Sequence, residues 1–158
     1  MDAAPFARLV EGHSGRLVLF ARQWTSAPED AVQEAFLRLA RLSVDPDDPV
    51  AWLYRATRNA AIDAGKGERR RGRREAATAR RDWFVQPEVN GLDAEAAVAA
   101  LERLPPEQRE VIVARLWGGL GLEQIAAVMG CSASTAHRRH EAGIEALRRL
   151  LGEPCRTA

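Results

Sequence analysis

At 158 residues, 46% of them hydrophobic, the chain is long enough for one ordinary domain or two small helical ones. No apolar run approaches a membrane span, the start (MDAAPFARLV) lacks the order of a signal peptide, and Cys131 and Cys155 form no CxxC pair. Membrane insertion, a disulfide framework and a structural zinc site are therefore set aside, and a cytoplasmic location is expected. The net charge of +1 conceals a basic island, with a net of −2 over 1–65, +6 over 66–81 and −3 over 82–158, which suggests a local polyanion contact beside a solvated linker.

Phe6, Leu9, Val10, His13, Leu17, Phe20, Ala21 and Trp24 recur at three- and four-residue steps and predict an amphipathic helix from about Pro5 to Trp24. Gly12 and Gly15 weaken it, so packing has to hold it together. His13 lies on the apolar stripe and reads as a core histidine rather than a ligand. Ser26-Ala27-Pro28-Glu29 has the form of a capping box with proline in the first turn. The helix it opens has Ala31, Val32, Ala35, Phe36, Leu39 and Ala40 as its apolar face, with Asp30, Gln33, Glu34, Leu37 and Arg38 largely elsewhere.

Asp45-Pro46-Asp47-Asp48-Pro49 is a rigid loop from which Asp48 can cap a third helix, Val50 to Ala64. Leu53, Ala56 and Ala60 face a core. Trp52, Arg55, Arg58, Asn59 and Asp63 interleave an aromatic, two cations and short polar groups, which suits single-stranded nucleic acid: cations for phosphates, a ring for stacking, polar groups for base edges. An ordinary amphipathic helix with a tryptophan at the core margin has the same spacing. Gly65 and Gly67 are read as its end, and the arginine island (Lys66, Arg69, Arg70, Arg71, Arg73, Arg74, Arg80, Arg81) follows. From about Glu75 to Leu92 the period is lost, Gln86-Pro87 and Asn90-Gly91 signal turns, and a linker carrying the short apolar segment Trp83-Phe84-Val85 is expected. Asp93 caps the next predicted helix, which stops at Pro105-Pro106, and another runs from Glu107 to Trp117.

In Leu122 to Met129, Leu122, Ile125, Ala126 and Met129 share one face. Gly130 supplies a sharp turn, Cys131 reads as a small buried residue within it, and Ser132 or Ser134 can cap a longer helix carrying His137, Arg138 and Arg139. That is the layout of a helix-turn-helix, whose second helix presents its first residues to DNA bases in the major groove. A plain helical hairpin would not need the small residue, the glycine turn and the basic first turn together. No strand pattern or internal repeat appears.

Three segments, in order, then resemble the extracytoplasmic-function (ECF) class of bacterial RNA polymerase sigma factors: PEDAVQEAFLRL (Pro28–Leu39), WLYRATRNAAID (Trp52–Asp63) and LPPEQREVIVARLWGGLGLEQIAAVMGCSASTAHRR (Leu104–Arg139). The resemblance implies an all-α fold of two small helical domains joined by a flexible linker. A region 2-like bundle would span 1–74, the linker 75–92, and a region 4-like helix-turn-helix domain 93–153. It implies core RNA polymerase as partner, through its clamp helices and flap, with Asp30, Gln33, Glu34, Phe36 and Leu37 among the contacts. It implies promoter DNA as the second partner. Trp52, Arg55, Arg58, Asn59, Asp63, Lys66, Arg69 and Arg70 would face the minus-10 element, and the Ser43–Asp48 loop would capture a flipped base. Ser134, Thr135, His137, Arg138 and Arg139 would face the minus-35 element, and an anti-sigma factor is the partner that commonly holds such proteins inactive. The chain departs from the family's pattern at Ala64-Gly65-Lys66-Gly67, at Gly121 in place of a serine or threonine cap, at His140 and at Ala142.

The expected function is binding of core polymerase, direction to a promoter and strand opening, with no covalent chemistry and no cofactor. P-loop, GxSxG and HExxH motifs are absent, and His137, His140 and Glu141 lack a further ligand nearby for a metal. The alternative is an autonomous helix-turn-helix regulator, which would leave Pro28–Leu39 and Trp52–Asp63 without a role.

Overall fold

Seven helices carry the regular structure of the computed structural model, which describes residues 2–72 and 94–152: α1 Ala3–Ala21, α2 Pro28–Ala40, α3 Pro49–Arg71, α4 Ala94–Arg103, α5 Pro106–Leu116, α6 Leu122–Met129 and α7 Ala133–Leu150. Among the described residues there is no strand, and no helix is long and apolar enough to cross a membrane. The expected linker 75–92, its Trp83-Phe84-Val85 segment, the Asp93 cap and four arginines of the island (Arg73, Arg74, Arg80, Arg81) lie outside the described residues.

Helices α1, α2 and α3 pack on one another around Leu17, Phe20, Ala35, Leu39, Leu53 and Tyr54. Phe20 is the hinge of this cluster, meeting Trp24 and Tyr54 edge-on with centroids 5.1 Å away in each case. Helices α5, α6 and α7 form a second group around Val111, Ile112, Ile125 and Ala136, against which α4 leans through α7. The two groups are not separate bodies. Helix α3 packs on α6 and α1 on α5, so one buried apolar cluster runs through both.

The local starts and stops differ from the sequence expectation at two places, each for a physical reason. Helix α2 begins without the capping box: Ala27 is the N-cap, and no side chain caps it. Thr25 instead accepts the Ala27 N–H at 3.1 Å, and the Ser26 N–H is taken by Glu68 at 3.1 Å, leaving Ser26 no reason to turn inward. The second difference is the length of α3, which runs through Gly65 and Gly67 to Arg71. Gly65 is buried because the backbone of the α1–α2 connection lies directly on it: a Cβ there would come within 2.0 Å of the Trp24 carbonyl oxygen. The glycine that looks like a stop in sequence is thus a contact in three dimensions. One turn later Glu68 bonds Thr25 and Ser26 and fastens the end of α3 to that connection.

Helix α6 ends as the sequence suggests. Gly130 turns left-handed (φ +65°) and the Cys131 N–H returns to the Ala126 carbonyl at 3.0 Å, closing the helix. Cys131 is half-buried. Of the two candidate serines Ser132 is the cap of α7, accepting the Thr135 N–H at 3.1 Å.

Candidate functional site

Three exposed stripes carry the side chains singled out in the sequence. At about 100° per residue, Asp30, Gln33, Glu34 and Leu37 of α2 fall within roughly 100° of arc. All four are exposed, and Leu37 at 44% is one of the few large apolar side chains so placed. Glu34 pairs with Arg38 at 2.8 Å one turn on, a surface pair of small energetic weight. Phe36 does not join this stripe. It is buried, edge-on to Phe6 with centroids 5.9 Å apart, because its position on the helix faces α1. It supports the face from behind, and its side chain, expected among the contacts, is turned away from the surface.

The second stripe runs down α3. Trp52, Arg55, Asn59, Asp63, Lys66 and Arg70 lie within roughly 80° of arc on one side. Trp52 is half-buried at the margin of the core, whereas Arg55, Asn59, Asp63, Lys66 and Arg70 are exposed. Lys66 Nζ sits 3.7 Å from Asp63 Oδ1, with both side chains more than half exposed, so the pair can yield to another partner. Arg69 is exposed but lies round the helix from the stripe, as does Arg58.

Arg58 is the main correction on this helix. Its guanidinium is engaged by Glu110 of α5, through Nε to one carboxylate oxygen and through Nη2 to the other at 3.2 Å, and it lies 5.9 Å over the Trp24 ring. A cation expected on phosphate is therefore spent inside the protein. Burial pushes the Glu110 carboxyl above its ordinary value, against the opposing pull of Arg58 and of the Arg139 charge.

The third stripe is the first part of α7. Ser134, His137 and Arg138 share a face and are exposed, while Thr135 and Arg139 turn roughly 100° or more from Ser134 and are half-buried. Thr135 is drawn into the cap, its hydroxyl accepting from Ser132 at 2.9 Å, and the charge of Arg139 acts on Glu110. His137 Nε2 lies 3.7 Å from Glu141 Oε1. The half-buried His140 imidazole is held below its ordinary value by burial first, then by Arg115 and His137. Among the described residues no group of three histidine, cysteine or acidic side chains is placed to hold a metal.

Two residues that sequence reasoning passed over, Gln124 and Glu110, join these helices, the first through the Asp48 cap that it did foresee. Asp48 caps α3, its Oδ1 accepting the Ala51 N–H at 2.9 Å, and its Oδ2 accepts from Gln124 Nε2 at 2.8 Å. The Ala51 N–H foremost, helped by Gln124, holds the Asp48 carboxyl below its ordinary value against the effect of burial. Gln124 Oε1 in turn accepts the Gly121 N–H at 2.9 Å, the reciprocal half of a capping box whose other half, a serine or threonine hydroxyl taking a first-turn N–H, glycine cannot supply. Its signal in the sequence was the amide three residues after a glycine cap. Glu110 had a weaker one, a single acid immediately before the apolar run Val111-Ile112-Val113-Ala114.

The described halves coincide with two known families. Residues 9–74 match Sigma-70 region 2, and residues 94–147 match Sigma-70, region 4. The RNA polymerase sigma factor CarQ of Myxococcus xanthus is 32% identical over 157 residues, covering 94% of this chain and 87% of CarQ. The ECF RNA polymerase sigma factor SigE of Mycolicibacterium smegmatis is 30% identical, covering 92% of this chain and 61% of SigE. Among solved structures, the sigma factor RpoE of Bartonella quintana, in complex with the anti-sigma factor NepR, is 25% identical with a TM-score of 0.68, covering 95% of this chain and 98% of RpoE. CnrH, in complex with the cytosolic domain of CnrY, is 26% identical with a TM-score of 0.64, covering 96% of this chain and 90% of CnrH.

Proposed function

The chain belongs to the RNA polymerase sigma factor family, and from that footing we propose which of its surfaces do the family's work. A sigma factor binds core RNA polymerase and gives it promoter specificity. In this chain the polymerase face is the α2 stripe of Asp30, Gln33, Glu34 and Leu37, where an exposed leucine amid polar groups supplies an apolar anchor with a hydrogen-bonding surround. The minus-10 face is the α3 stripe. Asn59 and Asp63 read unpaired bases, Trp52 stacks, and Arg55, Lys66 and Arg70 hold phosphates, with Arg69 reaching the backbone from the flank. Ser134, His137 and Arg138 read the minus-35 duplex, with Thr135 and Arg139 as supports of the helix rather than readers. The protein does no covalent chemistry of its own. The two domains of this reading span 1–74 and 93–153, with 75–92 as the connection. A partner of the kind that CnrY and NepR are to CnrH and RpoE is proposed for this chain as well.

The observation that carries this reading is the pairing of two exposed polar faces, on α3 and α7, each inside the segment matched by the corresponding sigma region. The test is reconstituted transcription with core polymerase on a library of promoter variants. Selection of promoters with two separated elements is expected. Binding of the chain to palindromic duplex without polymerase, and no effect on initiation, would favour the autonomous regulator instead.

A further inference from the structure

Two glycines, Gly65 and Gly67, fall in the last two turns of α3, the stretch that carries Lys66 and Arg70. Glycine is the poorest helix former after proline, so local propensity alone would let this stretch fray. What holds it lies on the other side of the helix. Gly65 is seated on the Trp24 carbonyl, and Glu68 accepts the Thr25 hydroxyl and the Ser26 N–H, the latter at 3.2 and 3.1 Å from its two oxygens. Thr25 Oγ1 in turn accepts the N–H of Ala27, the N-cap of α2, at 3.1 Å. A short chain of hydrogen bonds thus runs from the end of α3 to the start of α2.

We propose that Glu68 is a positioning residue for strand opening: by fastening α3 to the start of α2 it orders Lys66 and Arg70 for phosphate and holds them in register with the polymerase face. The proposal rests on the assignment of α3 to the minus-10 element and of α2 to polymerase. Glu68 stands roughly 160° round the helix from both Lys66 and Arg70, so it touches no strand that they hold. Its partners Thr25 and Ser26 lead directly into α2, whose exposed stripe begins at Asp30. Polymerase grips α2, and the tie carries that fixed position across to the last turns of α3.

The chemistry suits that task. One carboxylate takes donors from two consecutive residues, a side chain and a backbone N–H, which fixes both the distance and the rotation of α3 against the connection. Thr25 is buried, so water competes poorly for its hydroxyl. Burial acts to raise the Glu68 carboxyl, yet the bonds from Thr25 and Ser26, with the Arg71 charge, hold it below its ordinary value. It therefore stays ionised at the start of α2, where the first N–H groups of a helix favour a negative charge. A different account makes Glu68 only an acid that tempers the pull of Arg69, Arg70 and Arg71 on DNA. That account has the opposite sign, because removing the acid would then strengthen DNA binding.

The full chain should be assayed with core polymerase on a promoter that the wild type recovers from the variant library. The proteins compared are wild type, Glu68→Ala, Glu68→Gln, Lys66→Ala with Arg70→Ala, and the triple variant that adds Glu68→Ala to that pair. Glu68→Ala should bind core as wild type does but form open complexes, read by permanganate, about tenfold less well. It should also flatten the salt dependence of opening by about 1.4 logarithmic units, the share of two single-stranded phosphate contacts. Glu68→Gln, whose amide oxygen still accepts from Thr25 and Ser26, should stay within about twofold of wild type. The triple variant should open no worse than Glu68→Ala, because the two cations are already out of place. Additive losses in the triple variant, a Glu68→Gln as poor as Glu68→Ala, or tighter promoter binding by Glu68→Ala each overturns the positioning role. If Glu68→Ala loses core binding or helical signal, Thr25→Val, which leaves the carboxylate in place, is held to the same criteria. Normal opening by the Lys66→Ala, Arg70→Ala protein defeats the minus-10 assignment of these cations and the positioning role with it. Impaired opening there, beside normal opening by Glu68→Ala, defeats the positioning role alone.

Discussion

Gly65→Ala should destabilise the protein by about 2 kcal/mol, although alanine is the better helix former by about 1 kcal/mol. The added Cβ would stand 2.0 Å from the Trp24 carbonyl oxygen, more than an ångström inside ordinary contact, and the atom it meets is backbone that cannot rotate away. Relief requires α3 to move off the α1–α2 connection. That movement parts Glu68 from the Thr25 hydroxyl and from the Ser26 N–H. These bonds are strong enough to hold the Glu68 carboxyl below its ordinary value although burial acts in the opposite direction. Hydrogen bonds to a charged group contribute about 1.5–3 kcal/mol each, and the exposure of this site argues for the lower figure. Two such losses, about 3 kcal/mol, less the propensity gain, leave about 2 kcal/mol. For a chain of this size that lowers Tm by about 4–8 °C. Thermal unfolding followed by circular dichroism decides it. A rise in Tm would mean that α3 ends before Gly65 and that the packing of its last two turns on Trp24 is wrong.

Four further outcomes are expected. Gln33→Ala with Leu37→Ala should weaken core polymerase binding by about 2 kcal/mol with the fold unchanged, since both side chains are exposed and neither supports the core; co-purification with core enzyme measures it. Asn59→Ala should cost roughly 1–3 kcal/mol of discrimination at a single minus-10 position, read by permanganate footprinting on promoter variants. Arg138→Ala should relax the requirement for one guanine at minus-35, whereas Arg139→Ala should leave the preference in place and lower affinity evenly, a contrast that promoter selection with the two variants resolves. His13 and His140 are both held below the ordinary histidine value, by burial first and nearby cations second. Neutral imidazole is therefore favoured in the fold, and the stability it supplies is present above about pH 6.5 and lost as pH falls below it. The Tm should drop between about pH 7 and about pH 5.5, and His140→Gln should flatten the drop; a profile as steep as wild type would refute the assignment to His140.

The sequence was most legible where one local rule decides the outcome. Asp48-Pro49 starts α3, Gly130 ends α6, and Ser132 starts α7, each through a side chain or dihedral acting within a few residues. Legibility failed where a distant partner replaced the local one. Ser26 had the spacing of a cap, but Thr25 and Glu68, separated by 43 positions, took over its surroundings. Gly65 looks like a stop because propensity is a local quantity, while the reason for a glycine there is the carbonyl of Trp24. The assignment of helix faces had the same limit. Periodicity places Phe36 correctly on the apolar side, and it was the family's polymerase helix, not the spacing, that put it among the contacts.

Arg58 brings these strands together, because its position decides between two uses of one cation. On the helical wheel it stands roughly 100° from Asn59, outside the arc shared by Trp52, Asn59, Asp63 and Arg70. An arginine there can reach around to phosphate only if nothing on the neighbouring helix competes. Glu110 competes well, since a bidentate pair with a buried carboxylate meets a guanidinium's geometry better than a single screened phosphate. Promoter DNA can still prevail by acting on many groups at once: each phosphate neutralised by Arg55, Lys66 or Arg70 adds its own counterion release. The two uses are thus linked by mass action. A phosphate that draws Arg58 away would leave the Glu110 carboxylate buried and unpaired, and that cost counts against the phosphate.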